Sequence, residues 1–373
     1  MEPAFPAVIS LASGYGDFPN PPLALARAQA ALTGGQLPLS PTAGLPELRE
    51  ALAARFRARG AAVAAEQVVV TAGAKPALFA LLNVLLRPGD EVLLPTPNWF
   101  GFPGLVEKAG GTLRTLPLAA ADQYALTPET LRAALTPTTR LLLLSNPNNP
   151  TGRVYHRAEL DALLAVTREF PHLRVLSDEI YDGISFGPVP VPSLLTWPDP
   201  LGQHIVVNGF SKSLALIGWG VGYLVAPVAV ARACTDWLFA TGAAVPVPSQ
   251  RAALAATEEA ASITAGLRTR LAPARAYLLQ ALTALPDVRC AVPEGTYYAF
   301  PDFGAYLDPA HPTALASASF FRELRAAGVE LVDGGSCGAP GFARISCAVP
   351  EPLLREALRR LAAALAARRA VRP

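Results

Sequence analysis

The segment His204-Ile-Val-Val-Asn208-Gly-Phe-Ser-Lys212-Ser-Leu-Ala-Leu-Ile-Gly-Trp-Gly-Val-Gly-Tyr223 opens with a β-branched run that predicts a buried strand ending in a turn. Lys212 follows that turn directly, in apolar surroundings. Its identity is informative because Lys75, Lys108 and Lys212 are the only lysines among 31 basic residues. Arginine replaces lysine as a point charge but cannot lose its proton. A lysine kept in an apolar setting suits work that needs a neutral primary amine, such as Schiff-base formation. It also suits a side chain snorkelling from a strand end to water. Both readings are open at this point.

Outward from this segment, strands and helices alternate. Apolar runs of strand length occur at 67–71, 91–95, 112–116, 140–145, 174–178, 204–208 and 222–228. Helical patterns are predicted at 22–32, from 44 to about 59, at 76–86 and at 157–169. The alternation predicts an α/β fold with a seven-stranded, mostly parallel sheet flanked by helices, which binds ligands at the carboxyl ends of its strands. After about residue 260 the texture changes. A long helix near 265–285, short strands near 297–300 and 343–346, and helices at 316–327 and 351–369 predict a smaller α+β domain. The expected division is a large domain over 36–264 and a small one built from 1–35 and 265–373.

Composition narrows the class. Of 373 residues 51% are hydrophobic and 16% charged, which describes a globular chain with a sizeable core. The net charge of +2 comes from interleaved acids and bases with no basic arm, which argues against nucleic acid as a partner. Cys234, Cys290, Cys337 and Cys347 form no CxxC pair and the four histidines are scattered, so no metal site is expected. Unpaired thiols and an N-terminus without a signal pattern predict a soluble, cytoplasmic protein. The uncharged run 214–231 is long enough to be weighed against a membrane span, but Gly218, Gly220, Gly222 and Pro227 punctuate it. A buried turn followed by a strand is the better account.

Four strand ends carry polar residues that a plain core does not need. Thr71-Ala-Gly73-Ala74-Lys75 opens a helix whose free N–H groups can hold a phosphate. Pro95-Thr-Pro97-Asn-Trp99 places an indole on a stiffened loop, either as core or as a cofactor contact. Ser145-Asn146-Pro-Asn148-Asn149-Pro150-Thr-Gly152 is a long run of turn formers. Asp178 in Ser177-Asp178-Glu-Ile-Tyr181 closes an apolar strand, where an unpaired carboxylate is costly and wants a cation.

Taken in order, Asn146-Pro-Asn-Asn149-Pro-Thr-Gly, Asp178-x-x-Tyr181, Ser211-Lys212 with the following glycines, and Phe342-Ala-Arg344-Ile-Ser resemble the class I/II pyridoxal-phosphate aminotransferases of fold type I. The likeness extends over nearly the whole chain, from Leu11-x-x-Gly14 to the final helix. It implies pyridoxal 5′-phosphate as cofactor, an L-amino acid and a 2-oxo acid as substrates, and a homodimer. It further implies that Lys212 forms a Schiff base with the cofactor and then shuttles the substrate proton. By the same resemblance Asp178 would pair with the ring nitrogen, Tyr181 and Asn149 with its phenolic oxygen, and Trp99 would stack on its face, while Gly73, Ala74, Lys75 and Ser211 would meet the phosphate. Arg344 clamps the substrate carboxylate with Gly14 on the opposite wall, and cis bonds precede Pro97 and Pro150.

Two departures from the family pattern stand out. Gly220 occupies the position of a phosphate-binding arginine, and Leu39 that of a tyrosine reaching the neighbouring subunit's phosphate. A charge-assisted hydrogen bond contributes about 1.5–3 kcal/mol, so weakened cofactor retention is expected. Elimination, decarboxylation and racemisation use the same lysine, so Lys212 alone does not separate them from transamination. Two other readings fail. Gly334-Gly-Ser336-Cys-Gly338 matches a hydrolase nucleophile elbow, but no histidine follows it. Gly218-x-Gly220-x-Gly222 lacks the dinucleotide-binding spacing and precedes a strand.

Overall fold

The computed structural model describes residues 5–34, 37–242 and 244–371. In chain order the first elements are β1 (Ile9–Ser10), α1 (Pro22–Thr33), α2 (Pro46–Arg57), β2 (Val68–Thr71), α3 (Ala74–Leu85), β3 (Glu91–Thr96), α4 (Phe102–Lys108) and β4 (Thr112–Pro117). Next come α5 (Pro128–Ala134), β5 (Thr139–Ser145), α6 (Arg157–Arg168), β6 (Arg174–Asp178), β7 (His204–Gly209), β8 (Gly222–Val225), α7 (Val228–Ala240) and α8 (Val247–Glu258). The remainder is α9 (Ala260–Thr283), β9 (Tyr298–Ala299), α10 (Thr313–Ala326), β10 (Val329–Glu330), β11 (Val332–Asp333), β12 (Ala343–Ser346) and α11 (Glu351–Val371).

The seven-stranded sheet has the order β2-β8-β7-β6-β5-β3-β4. Every pairing is parallel except those of β8, which runs antiparallel to both β2 and β7. Strand character follows position. Leu141 to Leu144 of central β5 are all buried, because helices cover both faces. Edge strand β4 exposes Thr112, Arg114 and Thr115 instead, and such polar side chains discourage pairing with another sheet. α2 begins with Pro46 at its first position and Glu47 in its first turn, and ends with Arg55 and Arg57, which suits the helix dipole. It turns Leu48, Leu52 and Phe56 into the core at four-residue spacing.

The strand expected at 222–228 ends at Val225. Pro227 has no N–H to give the sheet, and Val228 already begins α7. The uncharged run 214–231 is thus divided among a turn, β8 and the start of α7. Among the described residues no helix is long and apolar enough to cross a membrane.

The smaller body holds the three-stranded antiparallel sheet β11-β12-β9 and the parallel pair β1–β10. One core surrounds Leu271, Leu278, Tyr297, Phe303, Phe320 and Leu361; two others fill the two faces of the large sheet. α9 bridges the bodies, with Ile263 against a large-sheet core and Leu271 and Leu278 in the small one. These clusters support, as a proposal, the two-domain division with a change at the N-terminus. Ala24 and Ala28 of α1 pack in the core beside α8, so α1 goes with the large domain while β1 stays with the small one. The boundary at 35–36 and the first four residues, on which the absence of a signal pattern rests, lie outside the described residues.

Candidate active site

The carboxyl ends of β5, β6 and β7 and the small body enclose a cavity of about 930 Å³. Local constraints build it. Gly73, at φ 105°, caps α3, and a Cβ on Gly222 of β8 would lie 2.4 Å from the Gly73 carbonyl carbon. Only glycine allows that strand to approach the helix N-terminus so closely. Asn146 is occupied structurally, its Oδ1 accepting from the Tyr155 N–H at 2.9 Å and its Nδ2 donating to the Tyr155 carbonyl. Asn148 Oδ1 likewise takes the Thr151 N–H at 3.1 Å. This loop leaves Asn149 to face the cavity. The bonds before Pro97, Pro147 and Pro150 are cis; the sequence reading named the first and last of these.

Lys212 Nζ donates to the Gly14 carbonyl at 2.5 Å and lies 3.5 Å from the centroid of the Tyr15 ring. Burial, reinforced by the positive charges of Arg344 and Lys75 and opposed by Asp178, lowers its pKa to about 7. Asp178 is buried at the end of β6 and accepts from the Ile180 N–H at 3.1 Å. Burial raises its pKa to about 6 against that hydrogen bond and the Lys212 charge. Ser213, next to the lysine, donates to the Ile180 carbonyl at 3.0 Å and accepts from the Gly183 N–H at 3.1 Å. The turn carrying Lys212 is thereby fastened to the turn after Asp178.

Arg344 of β12 is buried. It donates to Asn149 Oδ1 at 3.1 Å and to the Ala12 carbonyl at 2.8 Å, and its guanidinium lies 4.4 Å from the Tyr298 ring centroid. Its Nε is buried without a hydrogen-bond partner. The Tyr181 and Tyr298 hydroxyls are 2.8 Å apart. Trp99 packs edge-to-face on Phe102 at 5.1 Å and holds the Lys75 ammonium 5.3 Å from its ring centroid.

The cavity brings together Gly14, Gly73, Ala74, Lys75, Trp99 and Asn149, and with them Asp178, Tyr181, Ser211, Lys212 and Arg344. Gly218 and Gly220 also line it, and a Cβ on either would meet nothing within 4 Å. Leu39 is fully exposed. Sequence reasoning misses Tyr15, Phe100 and Tyr298, which line the same space. Their one available signal was adjacency to Gly14, Trp99 and a strand predicted near 297–300. Ser336, the candidate elbow nucleophile, donates to the Asp333 carbonyl at 2.7 Å and forms no hydrogen bond to a histidine. All four cysteines are free, and no cluster able to hold a metal occurs among the described residues.

Comparison with known proteins bears on the family and the fold. The profile of the family described as aminotransferase class I and II matches residues 6–361. The aspartate/prephenate aminotransferase of Thermus thermophilus is 35% identical over 369 residues, covering 96% of this chain and 91% of that protein. The aspartate aminotransferase of Geobacillus stearothermophilus is 33% identical over 361 residues, covering 95% and 90%. Among solved structures, the Thermus thermophilus aspartate aminotransferase with maleate superposes with a TM-score of 0.88 at 34% identity, covering 96% of this chain and 91% of that one. The Rhizobium meliloti aspartate aminotransferase gives 0.89 at 31% identity, with the same coverage. The fold and site define an enzyme that transfers amino groups. The chain belongs to the class I and II aminotransferase family.

Proposed function

We propose that this enzyme moves an amino group between an L-amino acid and a 2-oxo acid with pyridoxal 5′-phosphate as cofactor. The observation that carries the reading is a buried carboxylate, a lysine amine of lowered pKa and a buried guanidinium, all lining one cavity. The cofactor fits this donor set. Asp178 is a costly buried carboxylate that a ring-nitrogen cation would satisfy, and the first N–H groups of α3 at Gly73, Ala74 and Lys75 suit a phosphate. When bound, pyridoxal phosphate supplies the electron sink that stabilises negative charge at the substrate Cα.

The chain's own groups do the rest. Lys212 Nζ, its pKa lowered to about 7 chiefly by burial, would attach the cofactor and later take and return the Cα proton. Asp178 would pair with the ring nitrogen, Tyr181 and Asn149 would hydrogen-bond the phenolic oxygen, and Trp99 would support the ring. Ser211 and Lys75 supply further phosphate contacts. Arg344 orients the substrate by its α-carboxylate, with Gly14 closing the opposite wall.

Membership of the class I and II aminotransferase family supports a homodimer. The free cysteines support a cytoplasmic setting. The test is to load the protein with pyridoxal phosphate and incubate it with amino acids and 2-oxoglutarate. Stoichiometric formation of a new 2-oxo acid and glutamate is expected. Release of ammonia would overturn transamination in favour of a lyase.

A further inference from the structure

We infer that Tyr124 is a positioning residue: from outside the cavity it sets the spacing between the strand that carries Arg344 and the loop that carries Asn149. The inference rests on the function proposed above, in which Arg344 orients the substrate by its α-carboxylate.

The chain on either side of Tyr124 belongs to the large body, with Leu126 in one of its cores and Leu118 packed against the same core. The Tyr124 side chain does not join them. It is 5% exposed and, with Phe300 and Cys337, forms a fourth apolar cluster apart from the three cores. Its ring centroid lies 6.5 Å from that of Phe300, which stacks on Phe342 at 5.3 Å. Phe300 follows β9 and Phe342 precedes β12, two strands that pair with each other in the small body. Arg344 lies on β12 itself. A large-body ring therefore packs against both strands that frame the guanidinium.

The backbone of the same turn holds the Asn149 loop. The Gln123 carbonyl accepts from Arg153 Nη1 at 2.7 Å, and the Arg153 carbonyl accepts from the Asn148 N–H at 2.8 Å. Gln123 and Tyr124 are consecutive residues with side chains at φ 52° and 58°. Such left-handed backbone is disfavoured and persists where the surrounding structure over-determines it. Here the turn offers its carbonyl to one segment and its ring to the other, and those two segments meet in the 3.1 Å hydrogen bond from Arg344 to Asn149. Gln123, Tyr124, Phe300 and Phe342 stand outside the cavity lining, so the turn acts only through the groups it holds. The buried Tyr124 hydroxyl has no hydrogen-bond partner, which leaves the ring as the part that holds.

The test measures KM and kcat of the cofactor-loaded enzyme with the amino acid that the wild type converts best. Tyr124→Ala is expected to raise KM about tenfold or more while kcat stays within about threefold, the pattern of lost substrate binding through a misplaced clamp. Tyr124→Phe keeps the ring and should match the wild type. Tyr124→Leu fills most of the same space and takes the place of the alanine variant should that one fail to fold. The pH midpoint of the visible absorption should move in Tyr124→Ala and not in Tyr124→Phe, since Asn149 would hydrogen-bond the phenolic oxygen. Arg153→Ala severs the other arm, and the double variant should raise KM by less than the product of the two single effects. A lower urea midpoint with KM unmoved would reduce Tyr124 to a structural residue and overturn the inference. A fall in kcat alone, or a Tyr124→Phe variant as impaired as Tyr124→Ala, would overturn it too. If the loaded wild type converts no amino acid, the proposed function itself falls and takes the inference with it, a result distinct from the others.

Discussion

Lys212 Nζ and the Gly14 carbonyl, 198 residues apart in sequence, are joined by a 2.5 Å hydrogen bond. The same oxygen accepts from the Tyr297 hydroxyl at 2.7 Å and the Tyr298 hydroxyl at 3.2 Å. A carbonyl has two lone pairs, so three donors compete for it. Without the amine, the two tyrosine hydroxyls would still hold that carbonyl.

Lysine cannot be replaced by arginine here, because only lysine can give up its proton in this setting. Lys212→Arg should leave the fold intact and abolish the visible absorption of the bound cofactor together with transamination. The check is a spectrum with and without added pyridoxal phosphate, followed by borohydride treatment and mass measurement. Covalent retention in the wild type and none in the variant is the expected pattern.

The lowered pKa of Lys212, about 7 against an ordinary 10.5, sets a pH dependence for cofactor attachment. The reactive species is the neutral amine, so the rate of colour development should rise about tenfold per pH unit below pH 7 and level off above it. Stopped-flow mixing of apoprotein with pyridoxal phosphate from pH 5.5 to 9 reads this out. A rate still climbing at pH 9 would show that burial does not depress the amine.

Asp178 titrates near 6 in the folded apoprotein against 3.8 for an ordinary aspartate. Folding therefore favours its protonated form, and ionised Asp178 costs stability as pH rises from about 4 through 6. Asp178→Asn removes that cost and should stabilise the apoprotein at pH 8 by roughly 2–3 kcal/mol, the free-energy equivalent of a shift of this size. Activity should fall by at least about a thousandfold, because the amide cannot balance a ring-nitrogen cation. Urea midpoints of the two apoproteins, with kcat of the loaded forms, test both halves.

Gly220 lines the cavity with open space where a side chain would begin. Gly220→Arg can deliver a guanidinium there at a backbone cost of about 1–2 kcal/mol for the φ of +63°. The expected result is slower loss of pyridoxal phosphate on dialysis, with no gain in affinity for pyridoxal, which lacks the phosphate. Full retention of absorbance by dialysed wild type would show that Lys75 and Ser211 already suffice.

Asp182 is buried and paired with Arg55 at 3.1 Å and Arg59 at 2.9 Å, tying α2 to the turn that carries Tyr181. These cations hold its pKa below the ordinary value despite burial. Asp182→Ala strands two partly buried guanidinium groups and should destabilise the fold by about 3 kcal/mol. Chemical denaturation at pH 7 measures it. The loss should shrink as pH falls towards the acid range, where the wild-type carboxylate also becomes protonated.

Much of the architecture was legible in the chain itself, because its causes are local. The seven strands show as apolar runs, and Leu141 to Leu144 need no partner information to be read as buried. The helices at 22–32 and 157–169 are found within a residue of α1 and α6. α4, α5, α7 and α8 are absent from the sequence reading, since each is short or lacks a clear amphipathic repeat. The functional side chains were readable as residue types at strand ends, where a lysine, a carboxylate and a run of asparagines are out of place in a core.

What the chain alone determines is chemistry: an amine that can be neutral, a carboxylate that needs a cation, and the motifs around them. The tertiary structure decides which of these meet. The sheet order sets β6 beside β7, so Asp178 and Lys212 arrive at one edge of the large body. The small body places Arg344 and Tyr298 at the same cavity, and the pairing of β1 with β10 carries Gly14 and Tyr15 onto the amine. Those contacts join segments hundreds of residues apart. They depend on packing free energy summed over the cores of both bodies, which no local pattern of residues encodes.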